Sequence, residues 1–450
     1  MEVEIISRET IKPSSLTPPH LRTYKLSLLD QFIPSNHVPI VLFYPMLDND
    51  HVHVTSQLLK KSLSKTLTRF YPLAGKVRDA LTIDCNDEGA FYVEARVKCH
   101  LSDFLTQPRV PSMNQFLPYD VAWKRDEPIS GLHVTIIQVN IFDCGGIAIG
   151  ALVSHMTVDG TAFSTFLNSW AATARGSCEA VPRPSFIAPS LFLQSDSVPK
   201  ELTAMGLLKH FLKRGDCVAR RFIFDASALA TLKAKATSSC GQSQSPSRVQ
   251  AVSSLIWKCF IAASKATSGA YKPILLGHAV NMRPRALPPF SESCMGNFLW
   301  LAVAECKDEA KTELHHLAGQ VNDAIAKVNG DLVKQLQGEE GSLKYCETLE
   351  EMRKALHEGA DYLGFTSWCN FGLYEVDFGW GKPTWASPVG SGESISTIFY
   401  QNMVILIETK QGDGIEAWVS TDEQQMAIFQ CDRELQIYAS VDQSPLSLCN

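Results

Sequence analysis

Two hydrophobic segments on either side of a short polar stretch stand out in the first half of the chain. Residues 147–153 form a brief run rich in β-branched and small apolar side chains, which predicts a buried strand. After the polar stretch 154–160, apolar residues recur at helical spacing and predict an amphipathic helix: Phe163, Phe166, Leu167 and Trp170. A side chain between such a strand and helix lies at the edge of a rigid sheet and faces a cleft. His155 occupies that position, so we expect it to be available for chemistry.

The same patterns extend along the chain and divide it into two halves. Apolar runs bounded by turn residues predict further strands at 39–45, 218–224, 275–280 and 298–303. Helical spacing predicts a helix that stops before Pro72 and another that is closed by Asn329 and the glycine after it. Proline and serine cluster between the halves, and residues 241–246 indicate a polar surface loop. We predict an N-terminal domain, a crossover and a C-terminal domain at 1–180, 181–216 and 217–450.

Composition limits the function classes. At 450 residues with 45% hydrophobic side chains, the chain can bury two large cores. Charged residues make up 20% and the net charge is -6, which argues against nucleic acid as a partner. No apolar stretch reaches the length of a membrane span, and the first residues lack the pattern of a signal peptide. Thirteen dispersed cysteines suit free thiols in a reducing compartment. We expect a soluble, cytoplasmic and monomeric protein.

The pair formed by His155 and Asp159 has more than one interpretation. On a helix, a spacing of four would place both side chains on one face, as in some metal sites. A zinc site needs a third ligand, and neither His-Glu-x-x-His nor Cys-x-x-Cys occurs nearby, so a metal is not expected. In a hydrolase-like triad, Asp159 would orient the imidazole. The simplest alternative is a histidine with a structural role alone.

Two motifs that lie far apart in the chain together resemble those of the plant BAHD acyltransferases. The HxxxDG motif of that family matches His155-Met156-Thr157-Val158-Asp159-Gly160. Its DFGWG motif matches Asp377-Phe378-Gly379-Trp380-Gly381. Near the N-terminus, Ser27-Leu28-Leu29-Asp30-Gln31 is similar to the branch of the family that contains vinorine synthase and salutaridinol acetyltransferase. The resemblance extends from Ile11 to about Phe429.

The resemblance implies an α/β fold of two chloramphenicol-acetyltransferase-like domains, joined by a long crossover loop, with the active site in a channel between them. It implies that an acyl group passes directly from coenzyme A to a hydroxyl, without an acyl-enzyme. For the branch named above, the co-substrate would be acetyl-CoA and the acceptor a bulky plant metabolite, an alkaloid or a terpenoid. The alternatives are benzoyl- or hydroxycinnamoyl-CoA as donor, or a simple alcohol as acceptor.

The resemblance also implies roles for individual residues. His155 would act as general base, since a neutral imidazole with a pKa of about 6.5 can accept the proton of a hydroxyl. Asp159 would pair with Arg283 of the second domain rather than with the imidazole. Donors to the oxyanion or to the substrate would be Asn297, Thr366 and Trp368. The second motif would support the channel through Asp377, Gly379, Trp380 and Gly381.

Coenzyme A brings phosphate groups, and the chain has no P-loop to bind them. Ser247 and Arg248 precede a predicted helix, whose first backbone N–H groups can bind a phosphate, and Arg285 can add a bidentate contact. Two rival functions remain at this stage. One is a hydrolase that uses His155 with Ser154, although neighbours on a strand point to opposite faces. The other is a relative that binds small molecules without catalysis.

Overall fold

The computed structural model describes residues 1–45, 52–118, 129–177, 182–196, 198–199, 202, 211–237, 245–388 and 399–447. Within them, two large mixed sheets carry helices on their faces, which confirms the predicted two-sheet α/β class. Most of the predicted polar loop at 241–246 and the middle of the predicted crossover at 181–216 lie outside these residues.

The strands are β1 (Val3–Ile11), β2 (Thr23–Lys25), β3 (His37–Tyr44), β4 (Lys76–Asp79), β5 (Thr82–Asp84), β6 (Ala90–Val97), β7 (Thr135–Phe142), β8 (Ile147–Ser154), β9 (Lys213–Arg214), β10 (Cys217–Phe224), β11 (Ile274–Asn281), β12 (Leu299–Cys306), β13 (Asp361–Ser367), β14 (Trp385–Ser387), β15 (Phe399–Tyr400), β16 (Met403–Glu408), β17 (Ile415–Asp422) and β18 (Ser440–Val441). The helices are α1 (Leu28–Gln31), α2 (Val52–Arg69), α3 (Leu101–Thr106), α4 (Val110–Met113), α5 (Gly160–Ala174), α6 (Ala188–Leu191), α7 (Ala226–Ala236), α8 (Arg248–Ser268), α9 (Leu314–Ala326), α10 (Gly330–Gln335), α11 (Gly341–His357), α12 (Glu423–Phe429) and α13 (Arg433–Tyr438).

The first sheet has the strand order β1-β6-β7-β8-β3-β14 and places β8 in its interior. Every residue of β8 is buried, as its continuous apolar run predicts. Helices α2 and α5 pack against each other, and the buried apolar side chains of α5 belong to the core of this sheet. The strand, turn and helix around His155 therefore rest on a rigid, two-layered base.

The second sheet has the strand order β12-β11-β13-β16-β17-β10-β18. Strand β13 is parallel to both of its neighbours, whereas the remaining pairs are antiparallel. Helix α8 contacts α7, α9 and α12, and its apolar face packs into the core of this sheet. The ends of β11 and β13 face the first sheet's helix α5 across a cavity, which is described below.

Two short segments pack in the opposite half from the one that their sequence position predicts. Strand β14 pairs with β3, so a piece of the predicted C-terminal domain completes the first sheet. Conversely, Leu28 and Leu29 of α1 pack in the core of the second sheet. Each half therefore contributes a segment to the core of the other, and the domain division at 181–216 stays a prediction.

One predicted helix end is wrong. Asn329 does not close the preceding helix α9, which ends at Ala326; it begins α10, where its side-chain oxygen accepts a hydrogen bond from the N–H of Leu332 at 3.0 Å. An Asn-Gly pair suits either end of a helix, so the sequence pattern alone is ambiguous. In the described residues, none of the helices is both long and apolar enough to cross a membrane.

Candidate active site

A tight turn after β8 carries the candidate base. The backbone N–H of His155 donates to the carbonyl of Asn36 at 2.8 Å, and the hydroxyl of Thr157 donates to the carbonyl of Ser154 at 2.8 Å. Val158 then pairs with Gly296 of the other half of the chain in an isolated parallel bridge. These bonds fix the turn from both sides, so the position of His155 depends on both halves.

The imidazole of His155 is held in one tautomer. Its Nδ1 lies 3.0 Å from the carbonyl oxygen of Val158, and because a carbonyl can only accept, Nδ1 must carry the hydrogen. In the neutral ring, Nε2 therefore bears the lone pair. Burial lowers the pKa of His155, and this effect outweighs the opposing influence of the carbonyls of His155 and Val158, followed by that of the Asp159 carboxylate and the Asn297 side chain. The ring is neutral at pH 7 and can accept a proton at Nε2.

Asp159 is engaged away from the imidazole. As the N-cap of α5, its Oδ1 accepts from the N–H of Ala162 at 2.9 Å. Arg283 donates to both carboxylate oxygens, at 2.6 Å to Oδ2 and 3.1 Å to Oδ1, and the N–H of Phe298 donates to Oδ2 at 2.9 Å. The pair that the resemblance implies is thus present. The geometry of a triad is absent at these two residues, since Nδ1 of His155 donates to the carbonyl of Val158 and not to the carboxylate of Asp159.

Arg283 completes this connection between the two halves. Its side chain is 1% exposed, and the remaining donors of its guanidinium reach the carbonyl oxygens of Cys294 and Gly296. The guanidinium also lies over the ring of Phe298, 4.6 Å from its centre. Such full satisfaction is what allows a charged pair to remain buried.

The predicted oxyanion role of Asn297 does not fit the structure. The residue has no exposed surface, and its Nδ2 donates at 2.7 Å both to Oδ1 of Asp30 and to the backbone carbonyl of His155. Both N–H bonds are used, so Asn297 has none to offer a substrate. Asp30 belongs to the N-terminal stretch that carries the family resemblance, but the sequence did not indicate it as a site residue. The spacing of Ser27 and Asp30 in the sequence indicates a capping box at the start of α1. This local role gives no sign that the carboxylate also accepts hydrogen bonds from Asn297.

A cavity of about 600 Å³ opens beside this turn, between α5 and the ends of β11 and β13. Asp159, Gly160 and Thr161 border it on one side, and Thr366 and His278 on the other. No described residue shares a hydrogen bond with the hydroxyl of Thr366, which leaves that group available to a ligand. Trp368, the other candidate donor, is 7% exposed and packs in the first core.

The three residues predicted to bind coenzyme A differ in location. Arg285 lines the cavity, and its guanidinium also donates to the carbonyl of Val328 at 2.6 Å. Burial lowers the pKa of Arg285. Ser247 is the N-cap of α8 and forms a capping box with Gln250, whereas Arg248 donates to the carbonyl oxygens at 412 and 413. Ser247 and Arg248 are not part of the cavity lining.

The second motif forms a compact turn. Oδ1 of Asp377 accepts from the N–H groups of Gly379 and Gly381, at 2.8 and 2.9 Å. Both glycines have φ above +110°, a conformation that disfavours other residues. Phe378 is fully buried and stacks on Trp380, with ring centres 5.4 Å apart. The turn packs in the core of the first sheet and does not border the cavity, which suits a supporting role.

Comparison with known proteins places these features in a wider context. Residues 1–436 match the model of the Transferase family. The chain is 47% identical to epi-neemfruitin B 7-O-acetyltransferase of Melia azedarach, over 99% of the chain and 100% of that protein. It is 43% identical to limonoid 7-O-acetyltransferase of Citrus sinensis, with the same coverage. Its structure is similar to the crystal structure of vinorine synthase, with a TM-score of 0.80, 33% identity, and coverage of 99% and 100%.

Proposed function

The chain belongs to the Transferase family of BAHD acyltransferases, and we propose that it transfers an acetyl group from acetyl-CoA to a hydroxyl of a limonoid. Acyl-CoA-dependent O-acyl transfer is the reaction of the chain as a family member; the acetyl group and the limonoid are the proposed specificity. The observation that carries the proposed chemistry is the tautomer of His155, since it places the lone pair of the neutral ring on Nε2. His155 itself is not among the residues that line the cavity, which begins at Asp159 of the same turn.

The proposed reaction takes place in one direct transfer. Nε2 of His155 accepts the proton of the acceptor hydroxyl while the hydroxyl oxygen forms a bond to the thioester carbonyl carbon. The tetrahedral intermediate then collapses, the carbon–sulfur bond breaks, and the coenzyme A thiolate takes the proton back from the imidazolium. General-base assistance of this kind contributes about 10²–10⁴-fold. The correct placement of both substrates can contribute more.

The cavity offers groups for the other requirements of this reaction. The hydroxyl of Thr366 is a candidate donor to the oxyanion, because it lines the cavity and is free to bind. Arg285 is a candidate ligand for a phosphate of coenzyme A. Ser247 and Arg248 at the start of α8 remain candidates for a second phosphate contact outside the cavity.

The proposed specificity rests on the activities after which two relatives are named and on the charged residues near His155. The two relatives described above are named as 7-O-acetyltransferases, one of them for limonoids, and both match along almost their entire length. The segment 144–174 around His155 carries no lysine or arginine, and Arg285 of the cavity lining is already assigned to a phosphate of coenzyme A. A malonyl donor or an anionic acceptor would require a further fixed cation nearby. An alkaloid is the second candidate acceptor, since a cationic or neutral ligand satisfies the same condition. We also propose that the protein is a monomer and that it is cytoplasmic; the free thiols of the described cysteines support the second of these.

A donor and acceptor panel tests the proposal. Purified protein would be assayed with acetyl-, malonyl-, benzoyl- and hydroxycinnamoyl-CoA, each combined with limonoid, alkaloid and simple alcohols. We expect the highest kcat/KM for acetyl-CoA with a limonoid. A preference for another donor would refute the acetyl assignment, and a preference for an alkaloid would refute the acceptor class. Binding of acetyl-CoA without turnover of any acceptor would favour a non-catalytic binder.

Substitution of His155 tests the chemistry itself. His155→Ala should lower kcat by about 10²–10⁴-fold while calorimetry still detects binding of acetyl-CoA. The matched control is His316→Ala, which removes an exposed histidine of α9 outside the cavity lining and should leave kcat unchanged. Turnover by His155→Ala within a few-fold of the unaltered protein would refute the general-base role.

A further inference from the structure

The buried carboxylate of Asp30 lies two contacts away from the candidate base. Its side chain is 1% exposed and accepts four hydrogen bonds. Oδ2 accepts from the N–H and the hydroxyl of Ser27, at 2.8 and 2.6 Å. Oδ1 accepts from the backbone N–H and the Nδ2 of Asn297, at 2.8 and 2.7 Å. The contacts to Ser27 cap α1, but those to Asn297 join segments that are 267 residues apart and serve no cap.

The segment that Asp30 holds contacts both chemistry-bearing residues. Nδ2 of Asn297 donates to the carbonyl of His155 at 2.7 Å, and the next backbone N–H, that of Phe298, donates to Asp159. On the other side, Gly296 pairs with Val158, whose carbonyl holds the imidazole. The carboxylate therefore fixes the strip of residues 296–298, against which the turn at 155–159 is aligned.

We propose that Asp30 is a positioning residue for the transfer reaction, acting through Asn297 to hold the backbone of His155. The inference depends on the proposed role of His155 as base. Its physical basis is that a charge-assisted hydrogen bond fixes the side-chain amide more strongly than a neutral one. An error of about 1 Å in the placement of a catalytic group costs up to about 10²-fold in rate.

The test compares Asp30→Ala, Asn297→Ala and the double variant in the acetyl-transfer assay, with kcat expressed per folded molecule from circular dichroism. We expect Asp30→Ala to lower kcat at least 10-fold while the KM for acetyl-CoA changes less than threefold, since no part of Asp30 borders the cavity. Both single variants break the same connection, so the double variant should be no slower than the worse single one.

Asp432→Ala is the matched control for the loss of a helix cap. Asp432 accepts from the N–H groups of Glu434 and Leu435 at the start of α13, and it does not border the cavity. Asp432→Ala should lower the melting temperature of the protein and leave kcat per folded molecule unchanged. If Asp30→Ala does not fold, Asp30→Asn keeps the volume and one oxygen for Asn297, and we expect it to fold with a smaller but measurable loss of kcat.

Two outcomes would overturn the inference. One is a kcat per folded molecule that stays within threefold of the unaltered protein in both Asp30→Ala and Asp30→Asn. If Asp30→Ala does not fold, the same result for Asp30→Asn is sufficient. The other is a double variant whose losses multiply, which would show that Asp30 and Asn297 act independently. His155→Ala, measured in the same assay, separates failure of the proposed function from failure of the role of Asp30. If His155→Ala retains activity, the proposed function fails. If His155→Ala is inactive while the Asp30 variants are fully active, only the role of Asp30 fails.

Discussion

Removal of either partner of the Asp159–Arg283 pair should destabilise the fold as much as it impairs catalysis. The relevant variants are Asp159→Ala, Arg283→Ala and the double variant. In the first, the guanidinium loses two hydrogen bonds in a site where it is 1% exposed. In the second, the carboxylate keeps the N–H groups of Ala162 and Phe298 but loses its counter-charge.

The structure allows an estimate of the size of the effect. Breaking a buried pair by removal of one partner costs about 3–5 kcal/mol, because the other charge remains buried without compensation. The double variant leaves no unpaired charge, so its loss should resemble that of one single variant rather than the sum. Independent effects would sum to roughly 6–10 kcal/mol, which implies a coupling of at least about 3 kcal/mol between the two sites. That difference is large compared with the usual error of additivity, about 0.5 kcal/mol.

Urea unfolding followed by circular dichroism would measure the free energy of unfolding of all four proteins, and acetyl transfer would be assayed on the folded fraction. Two results would refute the reasoning. The first is additivity of the two single variants within about 0.5 kcal/mol. The second is an Asp159→Ala protein that is fully stable and loses activity only through a shifted pH profile, which would favour a triad in which Asp159 orients the imidazole.

Three further predictions concern protonation and space. Because burial lowers the pKa of His155, kcat/KM should rise with pH through an apparent pKa below 6.5 and be constant at neutral pH, as a rate profile from pH 4.5 to 8 would show. Burial also lowers the pKa of His37 to about 4, so the unfolded chain binds its proton first as the pH falls. His37 should therefore contribute roughly 3 kcal/mol to the loss of stability between pH 6.5 and pH 4, and urea titrations should find the total loss smaller by about that amount in His37→Gln. A methyl group at Gly160 would overlap the ring of Phe371 in the cavity wall, so Gly160→Ala should raise the KM of a substrate several-fold in steady-state kinetics.

Each of these has a result that contradicts it. An apparent pKa above 7 in kcat/KM would show that the imidazole is not desolvated. Equal acid sensitivity of His37→Gln and the unaltered protein would assign the loss of stability to other groups. An unchanged KM in Gly160→Ala would mean that Phe371 can move without a change in the substrate site. The matched control for Gly160→Ala is Gly319→Ala, because Gly319 lies on α9 with open space around its Cα. Gly176→Ala is unsuitable, since Gly176 has a positive φ that disfavours alanine.

Local patterns in the sequence determined the elements around the site. The apolar run before His155 predicts a strand, and β8 is buried at every position. The spacing of Phe163 to Trp170 predicts a helix, and α5 covers it. These features depend on side-chain periodicity and on burial of one continuous face, both of which can be read within a window of about 10–20 residues.

Only the tertiary structure decided which distant segments meet at the site. The family resemblance implies that Asn297 is an oxyanion donor, yet both N–H bonds of its amide go to Asp30 and to the carbonyl of His155. Strand β14 lies in the predicted C-terminal half but completes the first sheet. Periodicity shows which face of an element is buried, but it does not show which other element packs against that face. The identity of a polar side chain likewise does not show with which distant residue it forms a hydrogen bond. For that reason the candidate base, His155, could be singled out from the sequence, whereas the contact of Asp30 with Asn297 could be found only in the folded chain.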